Sequence, residues 1–154
     1  MSTSPDRQGT LDLRIENLIA AYGEGRGVPA RAQWQALLNL PEDAPVTVLN
    51  FFKFRAEAQY DPKSGETPCS GQEAFSRYAA VSAPALEKVG GRFLLLAPFG
   101  GSFIGDQEDW DFVVAGAYPN RNAVLALFED QDYRHCYIHR LAACERQRVL
   151  FCPA

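Results

Sequence analysis

The chain lacks any apolar run long enough to cross a bilayer; its longest fall short of ten residues, where a membrane helix needs about 20. A secretory leader is not expected either, because the first nine residues, MSTSPDRQG, are polar and no apolar core follows them. There is no excess of basic charge: 15 Lys and Arg stand against 19 Asp and Glu, for a net charge of −4. A nucleic-acid surface needs a basic field to displace counterions, so that class of partner is excluded. No two of the four cysteines, Cys69, Cys136, Cys144 and Cys152, are spaced as C-x-x-C. Three of them fall in stretches that read as buried helix or strand, as reduced thiols do in a reducing compartment, so the cytoplasm is the default location. G-x-S-x-G, Walker, H-E-x-x-H and RNA-recognition motifs are all missing, and Gly23, Gly25 and Gly27 follow a helix rather than the strand a nucleotide loop requires.

What is present is one domain's worth of ordinary globular sequence, 154 residues that are 47% hydrophobic and 22% charged. Residues 1–9 read as a mobile tail. Leu11, Ile15, Leu18, Ile19 and Tyr22 recur at helical spacing, and Pro29 opens a second short helix with Trp34, Leu37 and Leu38 on one face. Pro41 and Pro45 close this helical extension, so the boundary is set between residues 1–44 and 45–154. Strand one is VTVLNFFKF, residues 46–54. Ser70-Gly71-Gln72-Glu73 then forms a capping box for a helix that kinks at Pro84 and stops at Gly90-Gly91. Strand two spans 92–97 and resumes at 102–104; strand three spans 110–118. A helix starts at Pro119-Asn120, Asp132 caps a further helical piece over 133–145, and the last strand is 148–152.

The order after the extension is β-α-β-β-α-β, the split arrangement of an α+β, ferredoxin-like fold with a four-stranded antiparallel sheet. Right-handed crossovers put both helices on one face. Yet VTVL, FLLLA and FVVAGA are apolar on both sides, so both faces call for burial. The N-terminal helices could cover the second face, but a second copy of the chain is the more economical cover, and a homodimer through the sheet face is expected.

VTVLNFFKF, SGQEAFSRYAAVSAPALEKVGGRFL and the stretch from IGDQEDWDFVVAGAY through RHCYIHRLAACERQRVL resemble the family called domain of unknown function 1330, over about residues 45–152. The resemblance implies a dimeric α/β barrel, two such sheets face to face, with a pocket between each sheet and its helices. The family has no settled activity. Its wider structural relatives include cofactor-independent monooxygenases, heme-degrading monooxygenases, chlorite dismutase-like heme proteins and small isomerases, so the fold does not fix the function.

Candidate site residues are polar groups stranded on apolar surface. Asn50 interrupts strand one, where an amide either bonds to local backbone or orients a ligand. On the last helix, Arg140 shares a stripe with Tyr133, Cys136, Tyr137 and Cys144; its guanidinium needs a carboxylate such as Asp111, carbonyls, or an anionic ligand. His139 borders that stripe and is the candidate acid/base, with a structural histidine as the plainer alternative. His135 lies four residues back, but Cys136 points elsewhere and no metal site is expected. Tyr78 and Trp110 are aromatics equally suited to a pocket wall or a core. Asn50, Trp110 and His139 match residue types used by heme-degrading relatives, although the histidine falls later than that pattern expects. Asp106, Glu108 and Asp109 read as a solvated loop tip.

The expected function is binding of a small organic molecule, aromatic or carboxylate-bearing, with no cofactor. Asn50 and His139 are the catalytic candidates for oxygenation or isomerisation, and Arg140, Tyr78, Trp110 and Tyr133 the binding ones. A non-catalytic dimeric assembly module and a heme-binding protein are the alternatives.

Overall fold

A computed structural model describes residues 5–153, and the chain divides into two compact units, Met1–Pro41 and Glu42–Ala154. The first carries α1 (Pro5–Tyr22) and α2 (Arg31–Leu38). The helix α1 begins well before Thr10, so much of the expected tail is helical; Pro5 suits a first helical position because its φ is already set and its missing N–H would be unpaired there. Residues 1–4 of that tail lie outside the described residues. Ala30, not Pro29, leads into α2, and its backbone N–H donates to the Gln33 side chain at 2.8 Å. Ile15, Leu18, Trp34, Leu37 and Leu38 are the buried residues of the two helices, on the stripes their spacing defines. No helix of the described residues is long and apolar enough to cross a membrane.

The second unit runs β1 (Val46–Phe54), a 3₁₀ turn (Pro62–Ser64), α3 (Gly71–Lys88), β2 (Arg92–Pro98), β3 (Phe112–Tyr118), α4 (Arg121–Glu129), α5 (Gln131–Ala143) and β4 (Cys144–Pro153). The strands lie in the order β2-β3-β1-β4, every pair antiparallel. This is the ferredoxin-like α+β fold. The Ser70 hydroxyl accepts from the Glu73 N–H at 3.1 Å to start α3. Gly90, at φ 88°, and Gly91 end it by donating to the Glu87 and Leu86 carbonyls, the left-handed cap that glycine permits. Residues 102–104 form no strand; Phe103 and Ile104 stand 98% and 90% exposed in the β2–β3 loop. The last strand starts at Cys144, earlier than its polar opening CERQ signals, because β1 offers a pairing partner along its whole length.

Parity along the strands sorts the two faces. Val46, Val48, Asn50, Phe52 and Phe54 look toward the helices, as the ring contacts of Phe52 and Phe54 with Phe75 on α3 show. Thr47, Leu49, Phe51 and Lys53 look the other way. There the register lines up Leu95, Ala115, Leu49 and Leu150 in one apolar row across all four strands, with Leu95 47% and Leu150 41% exposed.

The cap of α5 is Asp130 rather than Asp132: its carboxylate accepts from the Tyr133 N–H at 3.0 Å and from Lys88 of α3 at 2.8 Å. The Lys88 hydrogen bond is the main cause holding its pKa below the ordinary carboxylate value, with the Tyr133 N–H next. A lowered folded-state pKa means the unfolded chain binds the proton more readily, so this stabilisation is complete above the unfolded value near ~4 and fades as pH drops through the lower folded one. Asp130→Ala is expected to cost about 1 kcal/mol at neutral pH. It should also flatten the fall in stability below pH ~4. Urea unfolding of both proteins at neutral and acid pH checks this; equal stabilities at neutral pH would refute it.

Candidate functional site

Arg140 on α5 is 5% exposed, held between the sheet and α3. Its Nε donates to Gln147 of β4 at 2.7 Å, one terminal nitrogen to the Tyr78 hydroxyl at 3.1 Å, and the other to the Asn50 amide oxygen at 3.4 Å. The guanidinium carbon lies 4.8 Å from the centre of the Phe52 ring, 5.2 Å from Tyr137 and 5.5 Å from Tyr78. None of these partners carries a negative charge. The expected pairing with Asp111 does not occur, because that carboxylate accepts from the Phe54 N–H at 2.7 Å and from Lys53 at 3.5 Å, beyond the end of the helix-covered row. Among the described residues, no acid pairs with Arg140. Burial works against its charge, while the hydrogen bond to the Tyr78 oxygen and the faces of the Phe52, Tyr137 and Tyr78 rings favour it, and it stays protonated.

Asn50 reaches Arg140 from the middle of β1, and its amide N–H donates across the sheet to the Val114 carbonyl at 3.2 Å. It thus makes both a local backbone bond and a bond to the buried cation. Register places Asn50 between Val114 and Val149, and Val114 beside Leu96. All four lie on the face the helices cover, yet none is buried: Leu96 is 55% and Val149 46% exposed, and Asn50 and Val114 are half-buried. The next row, by contrast, holds Phe52 at 1%. The two exposed members stand on the edge strands β2 and β4, and Asn50, bonded to Arg140, lies half-buried between them.

Tyr78 of α3 and Tyr133 of α5 share a hydrogen bond of 2.8 Å between hydroxyls, and both rings are buried. Burial drives the Tyr133 phenol well above its ordinary value and pushes Tyr137 up to about 12. Both are therefore neutral donors at neutral pH. Burial likewise raises the Cys136 and Cys144 thiols to about 11, which removes them as nucleophiles.

Of the six residues singled out in the sequence, Asn50, Tyr78, Tyr133 and Arg140 form one hydrogen-bonded group. Trp110 does not join them. Regular alternation ends at Phe112, and the bend at Asp111 turns Trp110 onto Phe51, on the opposite sheet face, with ring centres 5.8 Å apart and Arg146 stacked 4.6 Å above. His139 is also elsewhere, its Nδ1 2.7 Å from the Tyr60 hydroxyl, which accepts from Arg77 at 3.2 Å. Burial lowers the His139 pKa, and Glu66 only partly opposes it. Asn50, Trp110 and His139 thus share no cavity wall, and His135 is exposed. No group of three or more potential metal ligands occurs among the described residues. The acidic loop is exposed to solvent, and Asp109 also meets Lys53 at 3.1 Å and Glu108 meets Arg148 at 2.9 Å.

Sequence reasoning missed Gln147, Tyr60 and Arg77. A neutral amide alternating with Val149 and Phe151 was the available sign for Gln147. Tyr60 sits in a loop whose polar composition gives no hint of its partner 79 positions on.

The model of the family described as Domain of unknown function (DUF1330) matches residues 66–152, more than half of the chain. No curated protein matches it. The RPA0582 protein of unknown function from Rhodopseudomonas palustris superposes with a TM-score of 0.75 at 29% identity, over 85% of this chain and 98% of its own. Methylated RPA0582 gives 0.74 at 29% identity, over 82% and 93%. A dimeric protein of unknown function and ferredoxin-like fold from Bacteroides fragilis reaches only 0.46 at 10% identity, over 74% and 100%, too distant a likeness to argue from.

Proposed function

Since the chain belongs to the domain of unknown function 1330 family, whose description assigns no activity, we propose from its own geometry that it is a homodimer binding a small organic molecule in the Asn50–Arg140 cleft. The observation that carries this reading is a buried guanidinium with only neutral partners, bonded to Asn50 in a strand row whose two ends are exposed. An uncompensated cation in an apolar site costs stability, and a bound anion offsets that cost. The apolar neighbours Val114, Val149 and Leu96 suit the body of such a molecule. The reading is binding rather than catalysis, because the imidazole that would move a proton, His139, is engaged by Tyr60 outside this group. The heme-type arrangement loses its support for the same reason.

The outer face of the sheet suits a second copy of the chain. The row Leu95–Ala115–Leu49–Leu150 is apolar throughout and exposed at Leu95 and Leu150, and the loop bearing Phe103 and Ile104 is rooted beside it through Glu108–Arg148 and Trp110–Phe51. The rim of that face carries Lys53, Arg146 and Arg148 among Glu108, Asp109 and Asp111, so the signs balance and like charge does not oppose self-association. A pure assembly module fits that face equally well, but it has no use for a buried cation with only neutral partners.

Native mass spectrometry of protein purified from its own host tests both halves. The expected result is twice the chain mass with a small organic acid retained; a monomer with nothing bound would sink the proposal. Leu150→Glu should give a folded monomer by light scattering while leaving the cleft intact, since Leu150 lies on the outer face.

A further inference from the structure

The hydrogen-bond inventory around Arg140 says more about what the cleft receives. A guanidinium has five N–H donors. Three are spent, on Gln147, Tyr78 and Asn50. The two phenols add two O–H donors, and only one of these is used in the Tyr78–Tyr133 bond. If Tyr133, the more deeply buried, donates to Tyr78, the Tyr78 O–H is left over; if Tyr78 donates, the Tyr133 O–H is. Either way, two N–H groups and one O–H of a buried cluster have no acceptor among the described residues. The Asn50 amide adds to the imbalance, since its nitrogen spends one of two N–H groups on Val114. The cluster holds donors in excess and one positive charge, with no second cation bonded to it.

We propose that the group seated at Arg140 is the carboxylate of an apolar monocarboxylic acid, taking the spare guanidinium and phenol donors. This rests on the cleft reading above and narrows it. A carboxylate accepts at two oxygens and donates nothing, so it meets the surplus without adding to it. An amide or alcohol brings a donor where none is wanted. A phosphate brings a second negative charge, and the cluster has only one cation to meet it. The rest of the accessible row, Leu96, Val114 and Val149, carries no charge, and that selects an apolar body.

The test uses the full chain with octanoate and benzoate, their primary amides, and octyl phosphate. Methyl resonances of Val114 and Val149 report occupancy of the cleft, and tyrosine ultraviolet difference spectra report a new phenol hydrogen bond. Each carboxylate is expected to bind at least about tenfold more tightly than its amide, with both signals moving. Equal affinities, or tighter octyl phosphate, with the methyls still shifting would overturn the carboxylate assignment and leave the cleft standing. No shift of those methyls with any probe would overturn the cleft itself. Tyr78→Phe checks the phenol: it should cut octanoate affinity severalfold and abolish the ultraviolet signal, and unchanged affinity would remove the phenol from the ligand's contacts.

Discussion

Gly71→Ala is expected to destabilise the second unit by roughly 3 kcal/mol. A Cβ at that position would sit 2.2 Å from the Arg55 carbonyl oxygen, 2.7 Å from the Ala143 carbonyl oxygen and 2.8 Å from the Arg55 nitrogen. All three are backbone atoms, so no rotamer change makes room. The same atoms are already bonded together: Gly71 N–H donates to Arg55 at 3.1 Å and Arg55 N–H to Ala143 at 2.8 Å. The end of β1, the start of α3 and the end of α5 meet at this seam, and only a residue without a side chain lets them. A melting temperature lower by on the order of 10 °C follows for a unit of this size. Gly100→Ala is the control, since its added methyl meets nothing within 4 Å. Thermal melts followed by circular dichroism decide it; a Gly71→Ala melt that matches the control would mean that the three segments part freely.

That seam also explains how much of the site could be read from sequence. Strand β1 was legible to the residue because VTVLNFFKF is dense in β-branched and aromatic side chains, and Asn50 stood out within it as an amide among apolar neighbours. Arg140 stood out likewise against Tyr133, Cys136 and Tyr137. Both signals are local, carried by period 2 on a strand and period 3.6 on a helix. That the two residues touch each other is not local. It depends on α5 ending where Ala143 meets Arg55, 88 positions away in the chain, and on β4 starting at Cys144 to bring Gln147 beside Phe52. The polar start of β4 gave no strand signal, so Gln147 was invisible as a partner. Trp110 marks the opposite limit. The apolar run makes strand three read from Trp110, but it starts at Phe112, and one bend at Asp111 carries the indole to the other face. Buried cations are usually paired, so the sequence calls for an acid beside Arg140; that none of the described residues supplies one is a property of the fold.

That absence makes Arg140→Met the sharper of the two substitutions. In an ordinary buried ion pair, losing one partner strands the other charge and costs about 3–5 kcal/mol. Here no charge is stranded: Gln147 and Asn50 are partly open to water, and the Tyr78 oxygen can accept from Tyr133. Methionine fills much of the same space against Phe52 and Tyr137 while relieving the cost of burying an unpaired cation. Opposing this, the three bonds and the contacts over three rings are lost. These terms offset, and the unliganded variant should change in stability by less than Gly71→Ala does. Binding should respond quite differently. The cation supplies the charge and two of the three spare donors, so octanoate affinity is expected to fall about a hundredfold. Arg140→Lys should fall in between, keeping the charge but not the planar fork. Calorimetric titration against octanoate, paired with thermal melts, separates the outcomes. A folded Arg140→Met protein that binds octanoate as tightly as the parent would show that the cation has no ligand to meet. A variant that collapses like Gly71→Ala would make Arg140 a structural tie between α5 and the sheet, with its neutral surroundings requiring no ligand at all.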